Sequence, residues 1–354
     1  MSCRYWSPFV KDIVPYTPGE QPKVTNLVKL NTNENAYGVS PRVFEALKQT
    51  INDNLRLYPD PEATQLCQAL ANLHQVNKEN IFVGNGSDEV LGLAFYTFLK
   101  QDTPTLFPDI TYSFYPVYCE LFDIPYVQIP LDEEFRVNLN DYNREASAIV
   151  LANPNAPTSI ALDYETIENW VKTHPQQLII IDEAYVDFGG QTVIPLIQKY
   201  PNVLVIRTFS KFYALAGLRV GYAVGHADLI EGLRRVKDSF NSYPLDRLAQ
   251  AGALAAINDI QWSIDHTKRI IANREKMTNA LKALGFKVLE SSANFVFAMH
   301  PDFSGETLAK TLRQENIIVR HFNKPRIQNW LRITVGTEEE CQALLKVFQK
   351  ICAK

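Results

Sequence analysis

The chain has 354 residues, 46% of them hydrophobic and 21% charged, with a formal net charge of −4. That length exceeds one ordinary core and points to two domains, while the acidic balance, with no basic block, excludes a nucleic-acid face. No stretch approaches the roughly 20 apolar residues of a membrane helix, and the N-terminus lacks the continuous apolar run of a secretory leader.

Residues 1 to about 40, rich in Pro, Asn, Thr and Gly, read as an extended arm. From 41 to about 240, apolar strands alternate with helical stretches. IFVGNGSDEVLGLAFYTFL reads as a strand at 81–83, a glycine-rich turn and a helix. ASAIVLANPN, QLIIIDEAY and NVLVIRTFSK are Ile- and Val-rich runs that stop at polar residues, and ETIENWVKTH between the first two reads as a helix. Continuous apolar strands separated by helices predict a mostly parallel sheet covered on both faces. From 244 to 284 the pattern turns helical. FKVLE, NFVFAM, IIVRHF and LRITVG then alternate with helical segments, predicting a linking helix and a smaller α+β unit over 241–354, with the boundary inside the 240–285 helical stretch. The five cysteines show no CxxC spacing and no histidines at metal-ligand intervals, so no metal site and no disulfide framework is expected. A reducing compartment follows, and a soluble cytoplasmic protein is expected.

In open parallel sheets ligands bind beyond the carboxyl ends of the strands. Collected there are Asn153 and Asn155, then Asp182 with Tyr185, then Ser210 and Lys211, with Ser87 and Asp88 opening a helix after a glycine-rich turn. A helix N-terminus of that kind favours anions, and Thr208, Ser210 and Arg219 can add donors. Lys211, in apolar company, loses hydration and moves toward the neutral, nucleophilic form of a Schiff-base lysine. Taken singly, each feature has a blander explanation: a helix cap, a core tyrosine, a surface lysine. Together they form a phosphate cradle, a carboxylate on a buried strand end, a phenol, an amide and a desolvated amine, the set that pyridoxal 5′-phosphate asks for.

NPNAPT, DEAY and SKFYALAGLRVG, with LNTNENAYG, GNGSDE and LRITVGT, resemble the class I and II aminotransferases of fold type I, and within them the histidinol-phosphate branch. The resemblance runs from Pro15 to Thr337. It implies that Lys211 binds the cofactor covalently, Asp182 pairs with its ring nitrogen and Tyr185 with its ring oxygen. It implies that Ser87, Asp88, Thr208, Ser210 and Arg219 hold the phosphate, and that Tyr112 stacks on the ring. Tyr58 would reach the phosphate across a homodimer interface, with the arm packed on the small domain and the partner subunit. Asn33, Tyr16, Arg320 and Arg332 would meet the substrates, histidinol phosphate and glutamate or 2-oxoglutarate. An aromatic amino-acid aminotransferase shares every cofactor residue and differs only at the substrate end. A phosphothreonine decarboxylase keeps the lysine, and a cofactor-binding regulator would usually add a DNA-binding domain.

Three departures from the family pattern stand out. Ala156 replaces the asparagine that bonds the ring oxygen, so either Asn155 swings in or Tyr185 holds the oxygen alone. Ser159 replaces a glycine, so a positive φ is either not required there or tolerated at some cost. Ala36 replaces a proline and makes a less rigid arm.

Overall fold

A computed structural model gives the fold and describes residues 4–23 and 25–353. Its strands are β1 (Val28–Leu30), β2 (Ile81–Gly84), β3 (Thr105–Pro108), β4 (Tyr126–Ile129), β5 (Ala148–Ala152) and β6 (Leu178–Asp182). They continue with β7 (Val203–Thr208), β8 (Gly221–Gly225), β9 (Lys287–Val288), β10 (Phe295–Met299), β11 (Ile317–His321) and β12 (Trp330–Thr334). The large sheet has the order β2-β8-β7-β6-β5-β3-β4 and is parallel except at β8. β8 runs backwards because residues 209–220 leave β7 and return without a crossover helix, holding only a short turn at Ala216–Leu218.

Alternate side chains feed two cores. Ile179 and Ile181 pack on one face with helices Pro41–Thr50, Thr64–His74, Tyr164–Lys172 and Arg247–Asn258. Ile180 packs on the other with helices Gly86–Ala94, Phe114–Phe122 and Ala227–Phe240. Both faces are dry, which is why these strands read as unbroken apolar runs.

The helical stretch after residue 240 is broken at Asp259 into Arg247–Asn258 and Ile260–Ala283. The first helix shows an Ala and Gly face (Ala249, Gly252, Ala253, Ala256) and packs into the large-sheet core rather than the smaller unit. A Cβ at Gly252 would sit 2.5 Å from Leu218, which is how closely the helix presses on the turn before β8. The large core therefore extends past residue 240. The second helix carries Ile270, Met277 and Leu281 into the smaller core, built on the sheet β1-β11-β12-β10-β9. β1, from the arm, pairs parallel with β11, so the arm is partly strand rather than wholly extended coil.

Candidate active site

A cavity of about 210 Å³ lies between the carboxyl ends of β5–β7, the small-unit strands β11 and β12, and arm residues Tyr16, Thr32 and Glu34. Lys211 enters it from the 209–220 loop. Phe209, Phe212 and Tyr213 are buried in the large core and pin that loop, which leaves the lysine to point the other way. The arm grips Lys211 twice: Asn35 Nδ2 donates to its carbonyl at 2.9 Å, and its Nζ donates to the Thr32 carbonyl at 3.1 Å. Burial pulls the Lys211 amine down to about 8, against an upward pull from Glu34.

Asp182, last residue of β6, is buried, accepting from Tyr115 Oη at 2.9 Å and from the Ala184 amide at 3.1 Å. Burial pushes its carboxyl up to about 6, so a cation placed against it would restore the carboxylate. Tyr185 accepts a 3.0 Å bond from Asn33 Nδ2, which leaves its own O–H free to donate. Its ring stands edge-on to Phe295 at 5.0 Å.

The anion cradle explains the two glycines around Arg219. A Cβ at Gly221 would lie 2.3 Å from the Ser87 amide nitrogen, and one at Gly86, where φ is +82°, would lie 2.5 Å from the Arg219 guanidinium. Strand β8 is thereby pressed on the helix N-terminus at Gly86–Ser87, where free amides gather. Arg219 itself is left-handed (φ +52°) and pairs with Asp88 Oδ2 at 3.0 Å. Tyr112 donates to the other Asp88 oxygen at 2.8 Å. Thr208 Oγ1 accepts from the Ser210 amide at 3.1 Å, which leaves its hydroxyl hydrogen free.

From the small unit, Arg320 and Arg332 face each other as register partners on β11 and β12, their guanidiniums 5.6 and 5.7 Å from the Phe322 ring. Arg332 bonds the Asn31 carbonyl at 2.9 Å, while its buried Nε has no partner among the described residues. Tyr16 stacks on Phe114 at 4.6 Å and lines the same cavity.

Two expected contacts are not met. Asn155 does not line the cavity, and both hydrogens of its amide are committed, to the Ile110 carbonyl and Thr158 Oγ1, each at 2.9 Å. Asn33 also lies outside the lining; its side chain spans Tyr185 and Thr334, so it can act on a substrate only through Tyr185. Tyr58 is 78% exposed and away from this chain's own cavity. Ser159 keeps φ +67°, so the left-handed backbone survives the loss of glycine. The sequence reading missed Glu34, which faces the cavity with bonds from Lys29 and Thr32. Burial pushes its carboxyl up, but those bonds win and hold it at about 2. It also missed Asn35 and Tyr115, whose partners lie far away in sequence.

The geometry suits a phosphorylated pyridine aldehyde: amides, hydroxyls and a guanidinium for the phosphate, a carboxylate for the ring nitrogen, a free phenol hydrogen and an amine near neutrality. The sequence model of the family Aminotransferase class I and II matches residues 25–348. A histidinol-phosphate aminotransferase of Gluconacetobacter diazotrophicus is 58% identical over 341 residues, 96% of each chain. Histidinol-phosphate aminotransferase 1 of Pseudomonas aeruginosa is 55% identical over 342 residues, 97% of each. In fold, the chain is similar to the Sinorhizobium meliloti histidinol-phosphate aminotransferase solved with pyridoxal-5′-phosphate (TM-score 0.87, 23% identity, 99% of each chain). It is also similar to the L-threonine-O-3-phosphate decarboxylase of Porphyromonas gingivalis (TM-score 0.79, 22% identity, 93% of this chain and 100% of that one). At such identities the likeness is one of fold, and the fold alone does not choose between the two reactions.

Proposed function

The chain belongs to the class I and II aminotransferase family, and we propose that it is a pyridoxal-phosphate enzyme of histidine biosynthesis. It exchanges the amino group of histidinol phosphate with 2-oxoglutarate, giving imidazole-acetol phosphate and glutamate. The observation that carries the substrate is the pair Arg320 and Arg332, side by side on neighbouring strands in the cavity. An α-carboxylate needs one bidentate arginine, whereas a phosphate dianion can use two cations and a hydroxyl, here from Tyr16. The full-length identity to relatives named for this reaction agrees.

When bound, the cofactor stores the amino group and accepts electron density from the substrate's Cα. Ser87 and Asp88 through their amides, with Thr208, Ser210 and Arg219, hold its phosphate. Lys211 Nζ is the attachment point; once free, it moves the proton at Cα, and an ionisation near 8 lets it give and take that proton close to neutral pH. Asp182 keeps a proton on the ring nitrogen, held in line by Tyr115 and the Ala184 amide. Tyr185 donates to the ring oxygen without help from position 156, and Asn33 orients it. Tyr112 covers the ring. Arg332 serves both substrates, Arg320 chiefly the phosphate.

The protein is read as a homodimer with shared sites. Phe44, Ile51, Leu55, Leu57 and Tyr58 all stand exposed between residues 44 and 58, apolar side chains that a second copy could cover. A cytoplasmic location accords with Cys67, Cys119 and Cys341, buried free thiols, and among the described residues no helix is long and apolar enough to cross a membrane. Mixing the loaded enzyme with histidinol phosphate, phenylalanine or phosphothreonine, while following the cofactor absorbance and CO2, tests the reading. Rapid conversion with histidinol phosphate and no CO2 is expected. Conversion with phenylalanine alone would move the assignment to the aromatic aminotransferases, and CO2 from phosphothreonine to the decarboxylases.

A further inference from the structure

Residues 57–61 read Leu-Tyr-Pro-Asp-Pro. The prolines remove two backbone donors, and each keeps the residue before it extended. Such a segment can join neither a helix nor a full strand ladder, so its carbonyls need partners from elsewhere. Side chains of two distant helices supply them. Arg247 donates to the Leu57 carbonyl at 3.2 Å and to the Tyr58 carbonyl at 2.7 Å. Gln250 donates to the Asp60 carbonyl at 2.9 Å, and Lys237 to the Pro61 carbonyl at 3.1 Å. The Asp60 carboxylate accepts the amides of Glu62 and Thr64 at 3.0 and 2.8 Å, fixing the far end to the next helix.

Lys237 is only 4% exposed. Burying an ammonium forfeits hydration, which here is replaced by the Pro61 carbonyl, Glu62 at 3.3 Å and Asp238 at 2.9 Å. A loop that merely joined two helices would not need a buried lysine. Above this held backbone, the Tyr58 side chain is left in solvent, its ring stacked 4.6 Å from Tyr243. A fixed main chain and a ring braced on one side leave the phenol little freedom, which is how a group is preorganised for a ligand outside its own chain.

We propose that Arg247, Gln250 and Lys237 are positioning residues, a clamp that holds Tyr58 out from one copy so that its hydroxyl reaches the phosphate cradle of a second copy. The inference rests on the homodimer reading above and adds the residues that make it work. None of the three lines the cavity of its own chain. Their effect on the cofactor passes through Tyr58, so removing the clamp and removing the hydroxyl must overlap rather than add.

The test is a double-mutant cycle read as cofactor affinity. The probe is pyridoxamine 5′-phosphate, which carries the same phosphate but makes no bond to Lys211. Sedimentation checks that each variant is still a dimer. Tyr58→Phe is expected to raise the dissociation constant roughly ten-fold, the worth of one bond to a charged group. Arg247→Met and Gln250→Ala should each raise it several-fold, Arg247→Lys should recover part of the loss, and adding Arg247→Met to Tyr58→Phe should cost nothing beyond the roughly ten-fold of Tyr58→Phe alone. Wild-type affinity in both clamp variants, with Tyr58→Phe still weak, overturns the clamp and leaves the shared site standing. Losses that multiply in the double variant also overturn it, because the arginine then acts on its own account. Wild-type affinity in Tyr58→Phe overturns the shared phosphate contact and the clamp with it. If Arg247→Met no longer dimerises, Gln250→Ala, which removes one captured carbonyl, carries the same comparison.

Discussion

The amine of Lys211 should titrate far below an ordinary lysine, and two neighbours should move it in opposite directions. Burial sets the main effect and brings it to about 8. At pH 7 about 9% of such an amine is neutral, against about 0.04% at the usual value of roughly 10.4, a gain of about 200-fold in nucleophile. Glu34 favours the charged form and Arg332 opposes it, so Glu34→Gln should lower the titration and Arg332→Met raise it. One charge facing another across a partly wet cavity is worth on the order of 1 kcal/mol, or about five-fold in the neutral fraction. The assay strips the cofactor and follows trinitrophenylation of Lys211 by peptide mass spectrometry between pH 6 and 11. The rate should rise through pH 8 in the native protein and only above pH 10 in urea. Because the folded value is depressed, the protein binds fewer protons folded than unfolded between about 8 and 10.5, and this group's destabilising effect fades across that window as pH rises. Lys211→Met should therefore raise the Tm of the stripped protein at pH 7, with an advantage that shrinks toward pH 10.5. A native inflection above pH 10, or a Glu34→Gln shift upward, would refute the reasoning.

Asp182→Asn should leave the fold intact and cost about 10²–10³ in kcat, as removal of one preorganised charge does; an unchanged rate in single-turnover mixing sinks its role at the ring nitrogen. Arg332→Ala should slow both half-reactions, whereas Arg320→Ala should slow the histidinol-phosphate half by roughly 10- to 100-fold and the glutamate half far less, since one charge-assisted bond is worth about 1.5–3 kcal/mol. Equal losses in the two halves would count against a phosphate at Arg320. Ser159 holds φ +67° and donates to the Glu290 carbonyl at 3.0 Å. In urea, Ser159→Ala should lose about 1–2 kcal/mol because the carbonyl is left unpaired while the backbone strain stays. Ser159→Gly should lie near wild type, and an alanine variant as stable as wild type would contradict the account.

What could be read from the sequence was what is local. β5, β6 and β7 are unbroken apolar runs because both their faces are dry, and each ends at a residue that lines the cavity, so the strand signal and the site signal coincide at Asp182 and Thr208, with Lys211 three residues further on. β8 was invisible for the opposite reason. GYAVG is short and glycine-flanked, and its first glycine, Gly221, answers to a helix N-terminus more than 130 residues earlier, not to turn chemistry of its own. The helix break at Asp259 escaped because the face of Arg247–Asn258 is Ala and Gly, whose burial leaves almost no hydrophobic period to follow.

The arm shows the same division more sharply. Glu34 and Asn35 sit in a polar run with no periodicity, and nothing near them in sequence says that one faces the cavity while the other holds the Lys211 carbonyl. Asn155 misled in the reverse sense. Its position beside Ala156 invited the thought that one amide could stand in for another, but an amide has two hydrogens, and the tight turn after β5 already uses both. On the proposed reading the ring oxygen would be left to Tyr185, because Asn33, across the domain boundary, occupies the phenol oxygen and not its hydrogen. On the same reading the loss of an asparagine at 156 would be tolerable only while Asn33 and Thr334 keep Tyr185 aimed, and the chain's departure from the family pattern would shift a binding duty onto the contact between its two units.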